Sequence, residues 1–319
     1  MNKPRFANIL FDETFKIVVG APGNEPLLIR LIETLIPGKR IRTLERLDKE
    51  NHGLVISDKN TTFDLFCTSD TGEQFIVEMQ FAEQETYRER MLFYATYPLR
   101  AQMDARLRAV ERLSGITRDK MDYSLHPVYV LSMLNFSLPH EGNDALEEGL
   151  VSRFSIRNDG NGEMMTDALH FIYLELGRLK RKKGEEAQCR TPLERLAYSL
   201  KYMHMLDERP KGFDDDLQQM LFTATELAGM TQQQRQEYDK TMTTKIDIIE
   251  QQETARKRGL EQGLREGRAE GLEKGLEKGR QEGRQEELID VAGKMRAEGL
   301  PTELICRITG LSAEQVKAL

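Results

Sequence analysis

The stretch TTFDLFCTSDTGEQFIVEMQF, Thr61 to Phe81, carries two runs of alternating side chains on either side of a polar break that contains Gly72. Side chains of a strand point to opposite faces with a period of two. Phe75, Val77, Met79 and Phe81 therefore share one face of the second run, with Ile76, Glu78 and Gln80 on the other. In the first run Phe63, Leu65 and Cys67 oppose Thr62, Asp64 and Phe66. Asp70-Thr71-Gly72 supplies turn chemistry, so the stretch predicts a hairpin. Matching the apolar faces places Asp64, Glu78 and Gln80 together on the opposite face. Two readings fit: a hard divalent cation held by two carboxylates and waters, or an ordinary sheet face turned to water.

Around the hairpin the pattern alternates between helix and strand. Leu27, Leu28, Leu31, Ile32, Leu35 and Ile36 recur at helical spacing and stop at Pro37-Gly38. A long helix is expected from Tyr87 onward despite Pro98. HPVYVLSMLNF (His126 to Phe136) reads as a buried strand, and RFSIRN and LHFIYLEL as two more. Strands mixed with helices imply an α/β or α+β core. Strand signals end near Cys189, and from Pro192 the pattern is helical. The expected division is a core over 1–189, a helical region over 190–255, a glycine repeat over 256–285 and a small helical domain over 286–319.

The repeat RGLEQGLREGRAEGLEKGLEKGRQEGRQEE places glycine at every fourth position from Gly259 to Gly283 among strong helix formers. Each interior glycine opposes a helix by roughly 1 kcal/mol relative to alanine. A glycine row also lets a second backbone approach closely, as small-xxx-small patterns do. A period of four exceeds 3.6 and favours a right-handed wrap. Self-association and a partly helical linker are both compatible with it. Beyond it, helices are expected to end at Gly299, to open at Pro301 and, through a Ser312/Gln315 capping box, to open again. The last carries a single cation, Lys317, which suits packing better than base reading.

Of the 319 residues, 39% are hydrophobic and 31% charged, with a net charge of −7. No apolar run reaches membrane-spanning length, and the start lacks the apolar region of a signal peptide. Cys67, Cys189 and Cys306 are too dispersed for a metal site, and no HExxH or Cys/His cluster occurs. A reduced, cytoplasmic setting without zinc chemistry is expected. Two basic clusters offer backbone contacts to a nucleic acid or ordinary solvated faces: Arg88 to Lys120, which includes Arg106, Arg108 and Arg112, and Arg178 to Lys183.

FDETFKIVVG near the start, the Thr61 to Phe81 hairpin, ERMLFYATYPLRAQ after it and the glycine repeat ending in ITGLSAEQV together carry a resemblance. The chain resembles the Rpn family of recombination-promoting nucleases and transposases, of the PD-(D/E)xK nuclease superfamily. The resemblance implies a restriction-endonuclease-like mixed sheet flanked by helices, followed by an all-α C-terminal region. It implies an Mg²⁺- or Mn²⁺-dependent DNA endonuclease linked to recombination or mobile elements. Asp64 and Glu78 would be the metal carboxylates, with the Met79 carbonyl as a further ligand. Gln80 falls where the superfamily has lysine and would position a water; Phe63 falls where it has proline. Asp12, Lys16, Arg90 and Tyr94 match further family positions as supporting residues, while Arg88, Arg106, Arg108 and Arg112 would grip DNA. A homo-oligomer formed through the C-terminal region is expected, with no membrane partner. An inactive scaffold and a strand-transferring transposase are the alternatives.

Overall fold

The computed structural model describes residues 4–47, 63–112, 123–139 and 149–319, with the side chains of 110–112 excepted. Helices α1 (Asp12–Val18) and α2 (Glu25–Leu35) precede strands β1 (Leu44–Arg46), β2 (Leu65–Ser69) and β3 (Gln74–Gln80). Helix α3 (Tyr87–Arg112) and strands β4 (Val128–Leu134), β5 (Val151–Ser155) and β6 (Leu169–Glu175) complete the sheet region. Then come α4 (Pro192–Tyr202), α5 (Asp216–Thr225), α6 (Gln232–Ala297), α7 (Thr302–Thr309) and α8 (Ala313–Ala318).

The strands form one mixed sheet in the order β1-β2-β3-β4-β6-β5. The hairpin is antiparallel, with Leu65 opposite Val77 and Cys67 opposite Phe75. Its turn needs glycine: Gly72 has φ of +85°, and a Cβ there would stand 2.8 Å from the His126 ring. β3 and β4 pair in parallel, as do β4 and β6. All seven residues of β4 are buried, as the reading of His126 to Phe136 as a buried strand expects.

Both sheet faces are covered. Leu65, Cys67, Phe75, Val77 and Met79 pack with Phe15 of α1, Leu28 and Leu31 of α2, and residues of α4 and α5. Ile76, Val130 and Tyr173 pack on the other side with Tyr87, Met91, Tyr94 and Ala95 of α3. The Glu78 face is therefore lidded by a helix, and the solvent-facing alternative does not hold. Phe63 also departs from its expected face. It packs with Ile76, Tyr94 and Tyr97 on the α3 side, because the chain bends at Asp64 and regular pairing starts only at Leu65.

The core continues beyond residue 189: Leu196, Leu200, Leu217 and Leu221 of α4 and α5 belong to the larger cluster. The chain start is joined to the same region, with Phe6 bridged to Glu226 and the Asn8 amide donating to the Tyr238 hydroxyl at 3.3 Å. One compact unit spans Met1–Met242 and a second Thr243–Leu319. Within the second, Ala292, Ile305, Leu311 and Val316 are buried around α7 and α8, and Ser312 and Gln315 form the expected capping box. No helix among the described residues is long and apolar enough to cross a membrane.

Candidate metal centre

Asp64 and Glu78 are joined by a reciprocal clamp. The Asp64 backbone N–H donates to Glu78 Oε1 at 3.0 Å, and the Met79 N–H donates to Asp64 Oδ2 at 2.8 Å. Each carboxylate thus takes a main-chain donor from the other's strand, which fixes the pair side by side where the hairpin pairing begins. Both are buried, the Asp64 side chain and Glu78 each being 5% exposed. Met79 contributes its amide to this arrangement and sends its side chain into the larger core cluster.

Two cations approach from opposite layers. Lys16 of α1 sets Nζ 2.9 Å from Asp64 Oδ1. The turn that follows α1 lies tightly on β2: a Cβ on Gly20 would stand 2.6 Å from Leu65 Cδ2. Arg90 of α3 donates from Nη2 to Gln80 Oε1 at 2.8 Å and from Nη1 to Gln84 Oε1 at 2.5 Å. Its guanidinium lies 5.3 Å from the Tyr87 ring centroid and 5.8 Å from that of Tyr94, while Nε is buried without a hydrogen-bond partner. Gln80 donates its amide to the Ala82 carbonyl at 2.9 Å, so both ends of the side chain are engaged. Tyr94 meets Phe63 edge to face at 5.2 Å. Pro98, one turn on, has no N–H to give the Tyr94 carbonyl.

Burial pushes the Asp64 carboxyl up, against the pull of Lys16 and the Met79 N–H. Burial, and then the Asp64 charge, push Glu78 up, opposed by the Asp64 N–H, Lys16 and Arg90. Burial works against the charged form of Lys16, but Asp64, followed by Asp12 and Glu78, leaves its pKa raised. Even with Lys16 and Arg90 nearby both carboxyls remain raised, and a further cation beside them would favour their charged forms. Asp64 and Glu78 offer the hard carboxylate oxygens that a divalent cation takes together with waters. No group of three or more His, Cys, Asp or Glu that could hold a metal occurs among the described residues.

The structure brings together Asp64, Glu78, Gln80, Lys16, Arg90 and Tyr94, and Asp12 acts on Lys16 through its charge. The expected DNA-gripping arginines lie apart from this group. Arg88 donates to the Pro139 carbonyl at 2.5 Å and covers Phe154, and Arg106 donates to Ser124 Oγ at 2.9 Å. Arg108 lies further along α3, and the Arg112 side chain lies outside the described residues, as does Lys120. Sequence reasoning missed Gln84, the second anchor of Arg90; its place in the polar loop between β3 and α3 was the available signal.

A family model described as PD-(D/E)XK nuclease family transposase matches residues 9–255. No curated protein and no solved structure matches the chain.

Proposed function

This chain belongs to the PD-(D/E)XK nuclease family of transposases, and on that premise we propose that it is a metal-dependent DNA endonuclease acting in recombination or mobile-element chemistry. The observation that carries this reading is the reciprocal clamp, which holds two buried carboxylates side by side in the hairpin. Asp64 and Glu78 would hold Mg²⁺ or Mn²⁺, with the Met79 carbonyl as a further donor. The ion would supply Lewis-acid polarisation of a phosphoryl oxygen and a water acidified enough to attack.

The rest of the machinery is the chain's own. Gln80 stands in the lysine position and carries no charge, but it is bonded to Arg90, so the pair places a fixed guanidinium beside the carboxylates. Lys16 adds a second cation from α1. Charge developing on the phosphoryl group in an in-line displacement is stabilised by a donor fixed in advance, which here is Arg90. The amide hydrogen and lone pair that Gln80 has left can still orient a water. Further along α3, Arg106 and Arg108 would contact the phosphate backbone, a kind of contact that gives affinity without sequence choice.

We also propose a homo-oligomer through the C-terminal region. Leu260, Leu264, Leu272 and Leu276 lie beside the repeat glycines on α6 and are 57–67% exposed, an apolar row that a second copy would cover.

Supercoiled plasmid incubated with purified protein and Mg²⁺, Mn²⁺ or chelator tests the activity. Wild type should nick or linearise it only with metal, and Asp64→Asn and Glu78→Gln should reduce the rate by at least about a hundredfold, as expected when a transition-state charge stabiliser is lost. Both variants keep the clamp's acceptor oxygens. Wild-type cleavage rates in both would sink the assignment.

A further inference from the structure

If Asp64 and Glu78 hold the metal, as proposed above, Asp64 must part from Lys16 to do so. One Asp64 oxygen accepts from the Met79 amide at 2.8 Å, and the other faces the Lys16 ammonium at 2.9 Å. A full positive charge on that oxygen repels a dication approaching it. We propose that Lys16 is an exchangeable counter-ion of the site: its ammonium neutralises Asp64 while no metal is bound, and a divalent cation entering beside Glu78 displaces it into the adjoining cavity.

That cavity, of about 560 Å³, is lined by Lys16 itself with Gly20, Glu25, Arg46, Gln234 and Glu237. The Lys16 side chain is already 35% exposed, and its flexible four-carbon stem can turn without moving α1. Two carboxylates, Glu25 and Glu237, are present among the lining residues, so the displaced charge is not stranded. The other cation of the site has no such freedom. Arg90 is tied to Gln80 and Gln84 and flanked by two tyrosine rings. The two layers therefore supply different kinds of charge: α3 a fixed guanidinium, α1 a mobile ammonium that leaves Asp64 as the metal arrives. A mobile ammonium keeps the metal-free carboxylate compensated, and it weakens metal binding by the strength of the pair it must break.

The test uses the full chain and reads metal, not cleavage. Mn²⁺ binding is titrated by electron paramagnetic resonance for wild type, Lys16→Gln and Asp64→Asn, and acylation of Lys16 by an amine reagent is measured by mass spectrometry with and without Mn²⁺. Lys16→Gln should bind Mn²⁺ about fivefold more tightly, the worth of a partly exposed ion pair. Acylation of Lys16 in the wild type should rise when Mn²⁺ is added. Affinity in Lys16→Gln equal to or weaker than wild type overturns the proposal, as does acylation indifferent to Mn²⁺. Should Lys16→Gln fail to fold, the wild-type acylation result decides alone. A wild type that binds no Mn²⁺, or Asp64→Asn that binds it equally well, removes the metal assignment itself, and that outcome is distinct from the others.

Discussion

A methyl group added to Gly20 would stand 2.5 Å from the Lys16 carbonyl oxygen and 2.6 Å from Leu65 Cδ2, whereas one added to any of the seven repeat glycines, Gly259 through Gly283, would meet nothing within 4 Å. In the first unit glycine is where it is because the turn after α1 lies close on β2, just beyond the helix that carries Lys16. In the repeat, no described residue comes close enough to require glycine. The residues around it there are strong helix formers, and α6 is helical from Gln232 to Ala297 in spite of it. Glycine kept against its own propensity, with every position open, suits a surface waiting for a backbone the chain does not supply.

The largest effect should come from breaking that difference. Replacing Gly263, Gly267, Gly271 and Gly275 together with alanine removes roughly 4 kcal/mol of helix penalty. Circular dichroism should show greater helicity and a later thermal transition. Light scattering on the same sample should show a lower mass, because each methyl keeps a second helix away. A gain in helicity with unchanged mass would make the repeat a tether.

Gly20→Ala should act with the opposite sign. Its new methyl meets backbone and a buried leucine, so α1 must shift, at a cost of about 1–3 kcal/mol in chemical denaturation. Cleavage should fall further than stability alone explains, since the methyl also presses on the Lys16 carbonyl. A stable, fully active Gly20→Ala would show that the position of α1 is not critical.

How much of this was legible follows the range of the interactions. The hairpin was, with Leu65, Cys67, Phe75, Val77 and Met79 on one face, because alternation and a turn glycine are local signals. The caps and breaks of α7 and α8 were legible for the same reason. Phe63 was misplaced because a bend at Asp64 resets the alternation, and a two-residue period carries no sign of a bend. β1, only Leu44–Arg46, is too short to show a period. The contacts of Lys16 with Asp64 and of Arg90 with Gln80 join different layers of the fold, and only the parallel placement of β4 beside β3 and the lidding of that face by α3 settle which side of the sheet is buried.

Buried charge sharpens the contrast further. Burial and the nearby Asp64 charge raise the Glu78 pKa, so the folded protein keeps a proton that the unfolded chain gives up. Stability of the metal-free wild type should therefore fall as pH rises from the ordinary carboxylate range towards neutrality, at up to about 1.4 kcal/mol per pH unit. Glu78→Gln keeps the acceptor for the Asp64 amide but cannot ionise. Urea midpoints measured from about pH 5 to about pH 7 should show the variant gaining on wild type as pH rises. Parallel pH profiles for the two proteins would mean that Glu78 carries no such strain.

The smallest effect belongs to the exposed ion pairs of α6. Lys274 bonds Glu270 at 2.5 Å one turn away, yet the side chains are 75% and 65% exposed. Water screens such a pair and holding it costs side-chain freedom, so Lys274→Ala should change stability by no more than about 0.5 kcal/mol. Lys39 makes a bond of similar length, 2.6 Å to Glu73, but those side chains are 20% and 16% exposed. It also donates to the Tyr129 hydroxyl at 3.1 Å and lies 4.8 Å from the centre of that ring. Lys39→Ala leaves Glu73 and Tyr129 without that donor and should cost about 1–3 kcal/mol. Measured side by side by denaturation, the two substitutions separate distance from environment. Equal losses would mean that the Lys274 pair is shielded in solution, which is what burial of α6 against a second copy would produce.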